Sequence, residues 1–201
     1  MSENTARRLR TGIALAVVLM ALLILYTLYR TPAPWGWHVA RAAALFGYST
    51  IFLTILSNEY MREMKKLFGR PFLRVHHILA VAGLILIVVH PITVALVTKD
   101  ISAFIPRFDS FSLFLTLGGR PALYLFMAAA LAAVLRRRIK NVWRSIHWLN
   151  YVAFSLAFVH SWLLGANVSH GLLGFIWPAM FAIALIVFVH KRLLQGQVRK
   201  A

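Results

Sequence analysis

The sequence predicts an all-α integral membrane protein, a single bundle of six transmembrane helices with both termini in the cytoplasm. Three observations carry this expectation. Hydrophobic residues make up 61% of the 201 positions, against roughly 45–50% in an ordinary soluble domain. They gather into long runs at 12–29, 39–57, 75–97, 118–135, 146–165 and 171–190. The cations behind the net charge of +17 sit in clusters between those runs. That is how membrane proteins set their orientation, so the charge points to lipid and not to nucleic acid.

A helix rises about 1.5 Å per residue, so crossing a hydrocarbon core of about 30 Å takes about 20 apolar residues. The first run follows Arg7, Arg8 and Arg10. Its length of about 18 residues exceeds a signal-peptide core of 7–15 and no A-x-A site follows it, so it reads as a retained helix. In the fourth run Pro121 suits the first turn of a helix, where a missing N–H costs nothing. That helix therefore starts near Gly118, or borrows from Phe111–Leu117. Pro178 is expected to kink the sixth run.

Seventeen of the 22 Lys and Arg residues fall in segments 1–11, 58–75, 136–145 and 191–201. Arg30, Arg41, Lys99, Arg107 and Arg120 remain for the opposite side. The positive-inside rule then puts both termini in the cytoplasm of a multi-pass protein of the cell's inner (plasma) membrane. The length suits a single membrane domain over 1–201, and no internal repeat or low-complexity linker is present. There is no cysteine, which excludes disulfides, thiolate zinc sites, cysteine-held iron–sulfur clusters and covalently attached c-type heme.

Histidines within apolar helices carry the chemistry, because an ionisable side chain at membrane depth is costly. The third run, RVHHILAVAGLILIVVHP, has His76, His77 and His90; the fifth has His147 and His160. His76 and His90 are separated by about 21 Å of helical rise, and His147 and His160 by about 20 Å. Such separations suit two metal centres, one near each membrane face, with each helix supplying one axial imidazole to each centre. Bis-histidine ligation of a non-covalent b-type heme leaves no open iron position and suits electron transfer.

Helical phase places His76 and His90 within about 40° of one face, and His77 about 140° away. His77 nevertheless stays open as a substitute for His76, because His147 and His160 show the same 13-residue spacing as His77 and His90. A bulge or a change of helix direction must bring His147 and His160 to one side. Gly83 is a place for a porphyrin face to approach the backbone, or for two helices to pack on small residues. Arg74 and Arg144 lie near the inner ligands and Arg41 and Arg120 on the outer side, as propionate partners or as interfacial anchors. His38 and His170 read as surface residues and His190 as interfacial.

These residues resemble the ferric reductase-like transmembrane domain of ferric reductases, NADPH oxidases and the heme subunit of the periplasmic methionine sulfoxide reductase. The resemblance rests on H-x13-H in the third run (His76, His90) and on W-x3-H-x3-Y-x8-H around the fifth (Trp143, His147, Tyr151, His160). The basic loop before each and the segment Ala40-Arg41-Ala42-Ala43-Ala44-Leu45 add to it. It implies an inner heme on His76 and His147 and an outer heme on His90 and His160. Two departures qualify it. The sequence carries no Gly-rich dinucleotide fingerprint, so FAD or FMN would act through a separate partner. NADPH oxidases also have a further histidine one turn beyond the outer ligand, where this chain has Val94.

The function expected is a diheme b-type cytochrome, the membrane electron-transfer component of an oxidoreductase. It would take electrons from a cytoplasmic flavin reductase or from quinol and pass them to ferric iron, oxygen or a periplasmic oxidoreductase. Arg41 is the residue expected to act at the outer heme edge. The alternatives are a methionine sulfoxide reductase-type heme subunit with a dedicated periplasmic partner, and a non-catalytic heme-bearing anchor or sensor. A histidine-lined transporter would call for acidic residues at mid-membrane, and none of the five Asp and Glu lies there.

Overall fold

A computed structural model describes residues 2–69 and 72–194. All regular structure among them is helical, as expected where lipid leaves the backbone no outside hydrogen-bond partner. The helices are α1 (Glu3–Arg30), α2 (Trp35–Glu59), α3 (Met61–Phe68), α4 (Phe72–Thr98), α5 (Phe111–Thr116), α6 (Gly119–Val134), α7 (Trp143–His147), α8 (Leu149–Leu164) and α9 (Leu173–Phe188). Among the described residues five helices are long and apolar enough to cross a membrane: α1, α2, α4, α6 with its extension to Arg137, and α9 with its extension to Lys191. The expected fifth span, 146–165, is divided at Trp148 into α7 and α8. The 16 residues of α8 reach only about 24 Å.

Local chemistry sets the ends. The Ser2 hydroxyl accepts from the Thr5 amide at the start of α1, and Ser110 does the same for Leu113 at α5. Pro121 falls in the first turn of α6, as read from the sequence. The stretch Phe111–Leu117 forms the separate helix α5 instead of extending α6. Between α2 and α4, where a basic connection is expected, α3 sets Met61, Met64 and Leu67 against Arg62, Lys65 and Lys66. This is the pattern of a helix lying in the membrane interface, and Lys191 stands 4.7 Å from the Tyr60 ring beside it.

The bundle packs most closely between α2 and α4. A Cβ built on Gly47 would lie 3.3 Å from Leu86 Cβ, and one on Gly83 would lie 2.9 Å from Ile51 Cδ1. Gly83 therefore admits α2, and no porphyrin face approaches there. Small residues at such a crossing let two backbones close up in lipid, where van der Waals packing drives association. A second core joins α2, α8 and α9: Tyr48 stacks on Phe154 at 4.3 Å and on Trp177 at 4.5 Å between ring centres. The connection 99–110 is tied down to α6. Arg120 Nη1 donates to Ile105 O at 2.9 Å and Tyr124 Oη to Phe104 O at 2.8 Å.

Candidate cofactor site

Each of the histidines His76, His90, His147 and His160 has its Nδ1 engaged. His90 Nδ1 meets Ala40 O at 3.0 Å, His147 Nδ1 meets Ala129 O at 3.0 Å, and His160 Nδ1 meets Thr116 O at 2.7 Å. A carbonyl only accepts, so in these three rings Nδ1 carries the proton. His76 Nδ1 meets Ser57 Oγ at 2.9 Å, while that hydroxyl donates its own proton to Thr54 O at 2.9 Å. With that proton on Thr54 O, the Ser57 oxygen accepts from His76. The rings are thus fixed with the proton on Nδ1, which leaves Nε2 as the atom that can bind metal; at His147 the Asn150 amide nitrogen stands 3.5 Å from that Nε2.

The anchors follow a pattern. The two histidines of α4 are held by α2, through Ser57 and Ala40. The two of α7 and α8 are held by the antiparallel α5–α6 segment, through Ala129 and Thr116. Each ligand-bearing element has one backing element that orients both of its rings.

The His90–His160 pair is the better formed. The rings of His90 and His160 are 6.4 Å apart between centres. With a metal–nitrogen bond of about 2.0–2.1 Å and about 1.1 Å from nitrogen to ring centre, two imidazoles bound trans to one ion stand about 6.3 Å apart. Both rings line a cavity of about 500 Å3, walled mainly by apolar side chains of α2, α4, α6 and α8, a usual size for a cofactor site. Gly119 borders it and presses on the ligand: a Cβ there would lie 2.7 Å from Cδ2 and 2.9 Å from Nε2 of His160. The phenol oxygen of Tyr48, which also lines the cavity, is buried without a hydrogen-bond partner, an orphaned donor that a ligand with an acceptor would satisfy.

Arg41 and Arg120 lie in the same wall. Arg41 Nη1 donates to Thr31 O at 3.3 Å and Arg120 to Ile105 O. Two guanidiniums bonded to carbonyls, at one end of an apolar cavity, make a receptor for carboxylates. Val94, where NADPH oxidases carry a further histidine, is part of this lining too. These features fit a b-type heme with its propionates toward Arg41 and Arg120.

At the other end of α4, His147 is a neighbour of His76. The ring packed directly against His76 is that of His77, at 5.8 Å, and the ring nearest His147 is Trp143, at 6.0 Å. His77 is exposed, whereas His76 is half-buried. Arg74 is exposed in the first turn of α4, and the Arg144 guanidinium stands 5.5 Å from the Trp143 ring centre. His38 has a structural task, since its Nε2 accepts from the Ala33 amide at 3.2 Å.

Gly119 and the anchoring groups are the site residues that the sequence reading misses. The Gly118-Gly119 pair before Arg120 is a visible signal for the first. Backbone carbonyls leave no signal at all. Among the described residues no three His, Asp or Glu side chains converge as they would to cage a bare metal ion. No family model, no curated protein and no solved structure matches this sequence.

Proposed function

We propose that this chain is a diheme b-type cytochrome that carries electrons across a membrane, of the kind the resemblance to ferric reductase-like domains implies. One observation carries the reading: two imidazoles 6.4 Å apart across a cavity, each with Nδ1 tied back and Nε2 bare. His90 and His160 would hold the outer heme, with Arg41 and Arg120 at its propionates. His76 and His147 would hold the inner one, near Arg74 and Arg144. In this reading α7 and α8 together form the fifth of six spans, and the basic segments put both termini in the cytoplasm.

Heme, when bound, supplies one-electron chemistry between ferric and ferrous iron; the protein's part is ligation, orientation and field. The imidazoles of His90 and His160, and those of His76 and His147, would hold the iron, with their Nδ1 bonds fixing the ring orientations. The apolar walls keep water away, and the guanidiniums offset the carboxylates. The donor is a separate cytoplasmic flavin reductase or membrane quinol, and the acceptor an outer ferric chelate or periplasmic oxidoreductase. The apolar Val94 in the cavity wall leaves oxygen without the histidine that the oxidases place there, which ranks oxygen last among acceptors.

The test is a reduced-minus-oxidised spectrum of the purified chain with pyridine hemochrome quantitation. Two low-spin b hemes per chain are expected. One heme at full occupancy would reject the inner site, and none after expression with ample heme would reject the reading.

A further inference from the structure

Three of the four histidine anchors are backbone carbonyls, whose chemistry no substitution can change. The fourth is a side chain. Ser57 is 6% exposed, near the C-terminal end of α2. Its hydroxyl proton goes to Thr54 O at 2.9 Å, a bond that already satisfies a serine in a membrane helix. The second bond, accepted from His76 Nδ1 at 2.9 Å, therefore serves the histidine and not the serine.

An acceptor on Nδ1–H makes Nε2 a stronger donor to metal and fixes the ring's orientation. A stronger donor favours ferric over ferrous iron, so second-shell hydrogen bonds tune heme potential. The outer pair is backed by two carbonyls; the inner pair is backed by one carbonyl and one hydroxyl. Building on the diheme reading, we propose that Ser57 is the positioning residue of the inner heme. It fixes the tautomer and orientation of His76 and sets the inner potential independently of the outer one.

The test uses full-length wild type, Ser57→Ala and Ser57→Thr, with potentiometric titration of the b-heme absorbance and low-temperature EPR of the ferric protein. The inner wave is assigned as the one that persists in His160→Ala. In Ser57→Ala the lost acceptor should shift the inner ferrous/ferric ratio about tenfold toward ferrous, which is about 59 mV upward for one electron. One ferric low-spin EPR signal should change, the outer wave should stay, and Ser57→Thr should restore both readouts. Loss of the inner heme in Ser57→Ala with recovery in Ser57→Thr would support the same role. Unmoved waves, a downward inner shift, equal shifts of both waves, or heme loss that Ser57→Thr does not repair would each overturn it. A wild-type chain without heme would instead overturn the diheme reading beneath it.

Discussion

Replacing Gly119 by alanine tests the outer site at the atom that matters most. The added Cβ would stand 2.7 Å from Cδ2 and 2.9 Å from Nε2 of His160. Carbon atoms in ordinary contact are about 3.5 Å apart, so the ring must move by about 0.8 Å, the difference of 3.5 and 2.7. A functional constellation tolerates about 0.5 Å. The imidazole cannot swing aside freely, because Nδ1 holds Thr116 O at 2.7 Å. Nor should the fold fail. Gly119 is not among the glycines with positive φ, and alanine is the better helix former by about 0.5–1 kcal/mol. The expected outcome is a folded protein whose heme content falls from two per chain to one, read by pyridine hemochrome and size-exclusion chromatography. Gly12→Ala, with nothing within 4 Å of the new Cβ, is the control that should keep both. Two hemes in Gly119→Ala, with an unaltered spectrum and outer potential, would refute the argument from the Gly119–His160 contact.

Single alanine substitutions at His90 or His160 should remove the outer heme and spare the inner, and those at His76 or His147 the reverse; His77→Ala should keep both. Heme loss in His77→Ala but not in His76→Ala would move the inner ligand by one residue. Arg41→Ala takes a positive charge from the wall of the outer cavity, so the outer potential should fall and stopped-flow reoxidation by an anionic ferric chelate should slow several-fold, with oxygen slower than the chelate in both proteins. Unchanged potentials and rates would return Arg41 to an interfacial role. In the outer loop, the hydrogen bond from Arg107 at 2.7 Å holds the Asp109 carboxyl below the usual carboxylate range. A carboxyl lowered in this way gives its order above the unfolded carboxylate's range and loses it as the pH falls through the folded value. The protection of residues 107–112, measured as the exchange rate relative to the intrinsic rate at each pH, should therefore fall on acidification, and in Asp109→Asn that change in protection should be gone.

Much of this architecture is legible from short-range pattern. The apolar runs mark the helices, because membrane spans need length and little else. Pro121 marks the first turn of α6 because a proline is tolerated there. The histidine spacings suggest two levels because rise per residue is a local property. What escapes is long-range. Gly83 and Gly119 look alike as letters, yet one admits α2 and the other admits an imidazole, and only the packing of separate helices decides which. The interfacial helix α3 hides within a basic segment that charge counting reads as a loop.

The conflict of phase in the fifth run shows how the two levels of information meet. On an unbroken helix the 13 residues from His147 to His160 would set them about 140° apart, too far to serve one face. The backbone breaks between them, at Trp148, whose amide is shared by Arg144 O at 3.0 Å and Ser145 O at 3.2 Å. The reason lies on the other side of the contact. His147 and His160 are held by Ala129 and Thr116, themselves 13 residues apart on a segment that also changes course, at Leu117 and Gly118 between α5 and α6. Two irregular chains run antiparallel, and their irregularities let both imidazoles hold to one partner. The sequence spacing can pose the problem, but the carbonyls that solve it carry no residue name. A candidate heme helix with out-of-phase histidines is best read together with the segment that backs it.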